Sequence, residues 1–432
     1  MMRRPRHWPT SKPEYAWPPR LRGSGYAAAR VAGAVVFHLY YVLGLICSLL
    51  ARGRPAALVI RTDGIGDAIL FEPALEALAR SLSPSELHLW APAGTCDVLA
   101  ACPVIRKRVV IPRGFKEGNL LVLRSLRWRG RLGFMLGRRT YEVAVYPAES
   151  PEPLGNWLLL SARTRIRWVN YGDTINQFDW QRAATHARVT RVLSQRPGAA
   201  HELTRNAYLA SQWGGSLDLR TPKIYFTAKA IDDAERQAHA WRHVERQLRA
   251  SAIVAVIPTG SQPINRYPAD TWAQVLGQLW HEHRAVAAIL GGPGDGAFID
   301  AIVQQLGDVP HLRTEKPLSI LATAALLERL DAVLCVDTGL AHAAVALRVP
   351  SVILRIGGDP GRFLPWPGET RSIALYKSMP CEGCHNRCHL SEAKCMTDVT
   401  PEQIVAAYAK LAVSRSIIEY AATGARWLKV AG

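Results

Sequence analysis

Acidic residues are scarce in this chain: 35 Asp and Glu stand against 53 Lys and Arg in 432 residues, a formal net charge of +18 with His neutral. A balance so far to the basic side excludes an acidic, solvating protein and favours polyanionic partners: nucleic acid, anionic lipid or phosphorylated glycolipid. No long acidic or low-complexity tail is present. A P-loop is missing, and so is a complete dinucleotide fingerprint, because Gly64-x-Gly66 is followed by Ile69 where a third glycine or alanine belongs. That gap argues against a nucleotide-dependent oxidoreductase, the alternative that fold class alone would allow. Basic residues do not interleave with aromatics as they do on nucleic-acid surfaces, which argues against a basic nucleic-acid-binding protein carrying a cysteine metal module; no nucleic-acid partner is expected. The eight cysteines do not form a disulfide framework. Cys47, Cys96, Cys102 and Cys335 lie in apolar contexts and read as ordinary small buried residues. The other four are crowded together, which points to a metal site and a reducing compartment.

Apolar residues make up 49% of the sequence and charged residues 20%, enough for two cores of ordinary size. The positive charge is uneven. Residues 1–54 hold nine Lys and Arg against one acid, Glu14. Residues 1–25, rich in Arg, Pro and Trp, read as an extended arm. Val31 to Ala51 is a nearly unbroken apolar run, long enough to cross a bilayer. It starts late and ends in a poor cleavage context, so it does not read as a secretory leader.

From Ala56 onward short apolar runs alternate with helical patterns, which implies βαβ units and a parallel sheet. The strand-like runs are 57–60, 87–90, 109–111, 143–145 and 166–169, with a helix over 68–80. The alternation pauses around 217–225, and a charged helix follows over about 232–249. A second series begins with 253–257 and continues through 286–290, 333–336 and 352–354. The fold class is therefore α/β, with two Rossmann-like lobes whose parallel sheets face a cleft, plus an N-terminal apolar helix. The expected divisions are 1–54 (basic arm and membrane-associated helix), 55–228 (first lobe), 229–412 (second lobe, with a cysteine cluster at 381–395) and 413–432 (C-terminal helical segment).

In open parallel sheets ligands bind at the carboxyl ends of strands, and the candidate motifs fall there. After the first strand come Arg61-Thr62-Asp63-Gly64-Ile65-Gly66-Asp67. Gly64 and Gly66 permit a tight turn and close approach of another molecule, and Asp67 sits near a helix start, where an aspartate also serves as a cap. In the second lobe Asp337-Thr338-Gly339-Leu340-Ala341-His342 ends a strand and opens a helix whose free amides suit a diphosphate. Thr259, Gly260, Ser261 and Arg266 offer hydroxyls and a guanidinium to phosphate oxygens. Asp295, after a glycine turn, could hold ribose hydroxyls. Cys381, Cys384, Cys388 and Cys395 have the spacing C-x2-C-x3-C-x6-C, which lets four thiolates reach one tetrahedral ion. Zinc is expected, or iron, with His385 and His389 as spare ligands.

The segments 61–67 and 337–342, with Glu72-Pro73-Ala74-Leu75, His201-Glu202-Leu203-Thr204-Arg205-Asn206, Arg348-Val349-Pro350 and Asp359 to Trp366, resemble the bacterial lipopolysaccharide heptosyltransferases over roughly residues 56–412. The resemblance implies the two-lobed GT-B fold, an ADP-activated heptose donor, a lipopolysaccharide-core or other anionic glycolipid acceptor, and inversion at the anomeric carbon. It makes Asp67 the general base that takes the acceptor's proton and sets Arg61, Gly64 and Gly66 on the acceptor side. Thr259, Gly260 and the 338–342 segment would stabilise the departing diphosphate, with no catalytic metal. There are departures. Position 348 is Arg where the family usually has Gly. Asn265 stands where the family has a lysine or similar base, which shifts the phosphate role to Arg266. Asp295 is shorter than the family's usual glutamate, and residues 1–54 have no counterpart. A helix start lowers the pKa of Asp67 and weakens it as a base, a handicap that burial would offset.

The donor class is cytosolic, so both lobes belong inside. A single span would place the more basic N-terminal flank inside and export the lobes. A helix over about 27–50 lying in the interface on the cytoplasmic face of the bacterial inner membrane, peripheral or monotopic, fits better.

Overall fold

The computed structural model describes residues 24–49, 56–82, 86–112, 125–194, 201–215, 221–260, 262 and 264–423. The basic arm, Ser261 and the end of the C-terminal segment lie outside them. Strands β1 (Ala56–Ile60), β2 (Glu86–Ala91), β3 (Lys107–Val110), β4 (Val143–Tyr146), β5 (Ile166–Asn170) and β6 (Arg191–Leu193) form one sheet in the order β3-β2-β1-β4-β5-β6. Strands β7 (Ala252–Ile257), β8 (Ala285–Ile289), β9 (His311–Arg313), β10 (Ala332–Val336), β11 (Ser351–Leu354) and β12 (Ser372–Leu375) form the other, in the order β12-β11-β10-β7-β8-β9. Every pairing is parallel. The two sheets repeat one topology: the first strand is central, the chain winds out to one edge, then returns and winds to the other. The switch points lie between β1 and β4 and between β7 and β10. This is the two-lobed α/β arrangement of the GT-B fold.

The central strands β1, β7, β8 and β10 are buried along their whole length, because helices cover both faces of a parallel sheet. The helices are α1 (Ser24–Leu49), α2 (Ile65–Leu82), α3 (Ala93–Val98), α4 (Leu126–Arg138), α5 (Pro153–Ser161), α6 (Asp179–His186), α7 (Glu202–Ser211), α8 (Ala228–Leu248), α9 (Ala269–His283), α10 (Gly296–Leu306), α11 (Ile320–Leu327), α12 (Gly339–Ala346), α13 (Lys394–Thr397) and α14 (Pro401–Thr423). One continuous apolar cluster joins the lobes. It runs from Ile69, Leu75 and Cys96 of the first to Leu321, Ala325 and Ala341 of the second.

The helices start earlier than the periodicity predicts. The helix expected from residue 68 begins at Ile65, and the helix opened by the 337–342 motif begins at Gly339, so each glycine turn merges into its helix. The charged helix begins at Ala228, where the Thr227 hydroxyl accepts from the Ala230 amide at 3.2 Å. It opens the second lobe. The boundary expected at 412 is no break, since α14 runs on to Thr423. Strands β6, β9 and β12 were not legible: two are only three residues long, and none is fully buried. Arg348, where the resemblance leads one to expect glycine, has φ +58, the left-handed conformation that a glycine adopts without cost.

Trp272 of α9 is fully buried and meets Tyr267 edge to face at 5.5 Å. Trp272→Ala is expected to destabilise the second lobe by roughly 3–5 kcal/mol. Denaturant unfolding checks it, with an unchanged midpoint as the contrary result.

Candidate active site

The carboxyl end of β1 turns directly into α2, and that of β10 into α12, so the two helix N-termini meet across the interlobe cleft. Glycine makes the contact possible. A Cβ on Gly66 would lie 2.6 Å from Cδ2 of the His342 ring, and one on Gly339 would lie 2.7 Å from Cβ of Ile65. Beneath the first turn Arg61 is buried, paired with Asp63 (Nε to Oδ1 2.9 Å), and its guanidinium stacks over Phe71 at 4.4 Å. Asp67 in turn accepts from the Gly64 amide at 3.3 Å.

The cleft encloses about 330 Å³ and is walled by both lobes. Of the residues singled out in the sequence, Gly64, Gly66, Asp67, Asp337, Thr338, Gly339 and His342 line it. Thr259 and Gly260 sit just behind the wall: Thr259 is buried, and the Cα of Gly260 packs against the Asp337 carbonyl. Four others do not reach it. Arg61 is buried below the floor, with its Nε on Asp63. Arg266 is exposed and turns away to lie over Phe298 at 5.7 Å. Asp295 folds back to accept from the Gly292 amide at 2.8 Å, fixing its own loop before α10. Leu340 packs its side chain against the core.

Arg355 supplies the cation that Arg266 does not. It follows β11, lines the cleft, stacks over Tyr376 at 3.7 Å, and keeps a buried Nε with no hydrogen-bond partner. Sequence reasoning passed over it, although its place at a strand end was the available signal. Arg362 and Glu202 were also missed as functional groups, though both lie in segments that carry the resemblance. They tie the lobes together. The Arg362 Nε donates to Glu202 Oε2 at 3.1 Å, its Nη1 to Ser150 Oγ at 3.3 Å, and the Glu202 amide donates to the Arg362 carbonyl at 2.8 Å. His201 Nε2 lies 3.1 Å from the Phe363 carbonyl.

The electrostatics are those of a dry carboxylate cluster. Burial first, then the charges of Asp63 and Glu202, push the Asp67 carboxyl up to about 7, against the pull of Arg61 and Arg362. These terms outweigh the helix terminus that was expected to lower it. Burial also raises Glu149 to about 7, with Glu202 adding to it. Asp337 is raised to about 6 by burial, opposed by Arg355 and assisted by Asp359. His342 is driven the other way, down to about 3, by burial and then by His201. Its imidazole is therefore neutral. Because Nδ1 accepts from Trp366 Nε1 at 3.2 Å, Nε2 carries the hydrogen. His342 can thus donate a hydrogen bond but cannot act as a counter-charge.

Cys381, Cys384, Cys388 and Cys395 line one cavity of about 20 Å³ beside the cleft. Burial raises the Cys384 thiol, and the other three thiols raise it further, so the four are electrostatically in touch. The Gly357 amide donates to Cys395 Sγ at 3.3 Å, and the loop amides of Gly383 and His385 donate to the carbonyls of Gly357 and Gly358. Among the described residues no group of three or more His, Cys, Asp or Glu is already disposed around a metal position. One ring nitrogen of His385 is engaged: its Nδ1 lies 2.5 Å from Asp359 Oδ1. His385 and Asn386 carry the loop to the cleft, where Asp359 and Asn386 form part of the wall.

The model of glycosyltransferase family 9 (heptosyltransferase) matches residues 172–392, more than half of the chain. Among solved structures, a family 9 glycosyl transferase from Veillonella parvula superposes with a TM-score of 0.66 at 16% identity, over 84% of this chain and 99% of that one. The E. coli ADP-heptose lipopolysaccharide heptosyltransferase II gives 0.59 at 18% identity, over 84% and 99%. The E. coli heptosyltransferase WaaC, solved with ADP-2-deoxy-2-fluoro heptose, gives 0.57 at 13% identity, over 82% and 99%. No curated protein matches the sequence significantly.

The charges around Asp67 have opposite signs, so their removal should move its titration in opposite directions. Glu202→Gln is expected to lower the Asp67 pKa and Arg362→Gln to raise it, each by roughly one unit. Carboxyl-labelled NMR titration reads both, and shifts in the same direction would contradict the assignment.

Proposed function

The chain belongs to glycosyltransferase family 9, and from that premise we propose that it transfers heptose from an ADP-linked donor, with inversion, to a hydroxyl of an anionic glycolipid of the lipopolysaccharide-core type. The observation that carries the reading is Asp67: a carboxyl whose pKa lies near neutrality, in a cleft, directly opposite a helix N-terminus of the other lobe. Asp67 takes the proton of the acceptor hydroxyl as that oxygen bonds to the anomeric carbon. The bond from that carbon to the diphosphate oxygen breaks, and ADP leaves with its electron pair. The α12 amides, the Thr338 hydroxyl, the Nε2–H of His342 and the Arg355 guanidinium face the negative charge that develops. A positive helix end and a guanidinium fill the role a catalytic metal would take, and the proposed step invokes none. The ADP-heptose donors of the E. coli relatives support the donor assignment.

We further propose that the four-cysteine loop holds one structural zinc or iron ion through Cys381, Cys384, Cys388 and Cys395. The chemistry of the donor set fits: four thiols share one cavity, and an amide already donates to one sulfur, as it would to a metal thiolate. Such an ion would clip the loop that brings His385 and Asn386 to the cleft. Elemental analysis of the purified chain is expected to give about one metal per four-thiolate site. Cys384→Ser should lose the metal and lower the unfolding temperature; well under one metal per wild-type chain contradicts the assignment. As part of the same reading we propose that the enzyme works on the cytoplasmic face of the bacterial inner membrane, where such a donor and such an acceptor would meet.

Asp67→Asn is expected to lower kcat by about 10²–10⁴-fold and leave ADP affinity nearly intact. Arg355→Gln or Thr338→Val should weaken ADP and ADP-heptose together. An Asn variant that keeps a tenth of the wild-type rate would reduce Asp67 to a helix cap.

A further inference from the structure

The glycine-rich helix α4 has no counterpart among the segments that build the cleft, yet α1 packs along it more closely than side chains normally allow. The two helices run parallel. Gly133 lies against the Phe37 carbonyl and Gly137, one turn on, against the Tyr41 carbonyl, where a Cβ at either glycine would overlap the neighbouring backbone. Gly44 of α1 meets the α4 backbone around Phe134 and Arg138 in the same way. Small residues four apart are how helices approach when backbone packing holds them together. Phe37 is buried against Trp157 at 4.8 Å, and Arg163 donates from one Nη1 to Ser48 Oγ at 2.9 Å and to the Gly137 carbonyl at 2.6 Å. Helix α1 is therefore part of the first lobe and not a tether beside it.

Its opposite face has no partner among the described residues. Val31, Val35, Leu39, Val42, Ile46 and Leu49 recur at helical spacing on one side and are 49–84% exposed, an expense in water that a folded lobe does not normally carry. Beside them, α4 turns Arg127, Arg131 and Arg138 outward, at spacings that place all three on one face. An apolar stripe next to a row of cations complements an anionic lipid surface, and the sequence leading into α1 adds Arg3, Arg4, Arg6, Lys12, Arg20 and Arg22. Resting on the glycolipid-acceptor reading above, we propose that the α1–α4 pair is a rigid docking plate: α1 lies in the plane of an anionic bilayer with its exposed stripe among the acyl chains, α4 sets its arginines at the headgroups, and the glycine seam fixes the tilt of the first lobe, and so of Asp67, to the membrane. Crossing the bilayer is incompatible with this packing, because α1 would carry the buried Arg129 and the Arg163 clamp into hydrocarbon.

The test uses the full-length chain, floated with vesicles of phosphatidylcholine alone or mixed with phosphatidylglycerol, with ADP binding measured on the same preparations. Wild type is expected to float with the anionic vesicles. The Val35→Glu, Val42→Glu, Ile46→Glu variant should lose at least about tenfold in binding, and the Arg127→Gln, Arg131→Gln, Arg138→Gln variant should lose the preference for phosphatidylglycerol, both with ADP affinity unchanged. In sealed inverted membrane vesicles an N-terminal tag should be removed by protease together with the lobes. A protected tag would show a span and overturn the in-plane arrangement. Absence of flotation, or a concentration-dependent dimer that the glutamates dissolve, would overturn the docking plate while intact ADP binding leaves the glycosyltransferase reading standing. Loss of ADP binding in the wild type would instead strike that reading.

Discussion

Two helix N-termini aimed at one another, each glycine seated against a side chain of the other helix, are the constraint on which the cleft depends. Each terminus carries roughly half a positive charge and several amides without intrahelical partners. Bringing α2 and α12 together is favourable only with negative charge nearby, and the chain supplies it as carboxylates: Asp63 and Asp67 on one side, Asp337 and Asp359 on the other. Gly66 and Gly339 then decide how close the ends come. The result is a site whose dipoles are set in advance for an anion, which is the demand a departing diphosphate makes.

The same crowding prepares the base. A carboxylate in water near pH 7 is fully ionised and a poor proton acceptor, whereas burial and its neighbours bring Asp67 close to the pH at which it must work. Arg61 and Arg362 keep that shift in bounds. Because Arg362 sits on the second lobe and pairs with Glu202 on the first, the charge state of the base is coupled to the contact between lobes. A lobe movement that parted this pair would change the proton affinity of Asp67 as well as the width of the cleft.

Much of this was legible in the sequence because parallel strands buried on both faces leave near-continuous apolar runs, and because strand ends are where glycine turns and acids cluster. The Asp67 and 337–342 motifs were found on that ground, and they do face each other. What was not legible depends on tertiary direction. Arg266 and Arg355 both lie in segments that follow a strand, and only packing shows that the first turns out to Phe298 while the second turns in. Asp295 carries the right chemistry but folds onto Gly292. The helix at 126–138 was invisible because its three glycines give a poor local helix signal. Those glycines make sense only once the backbone of α1 is laid against them.

The central claim, that Asp67 is a carboxylate base tuned by burial, is tested most directly by the pH dependence of kcat/KM for the wild-type enzyme with ADP-heptose. The rate should climb with pH at unit slope and level off through an apparent pKa of about 7. A profile flat through neutrality, with its acid limb in the ordinary carboxylate range near about 4, would contradict it.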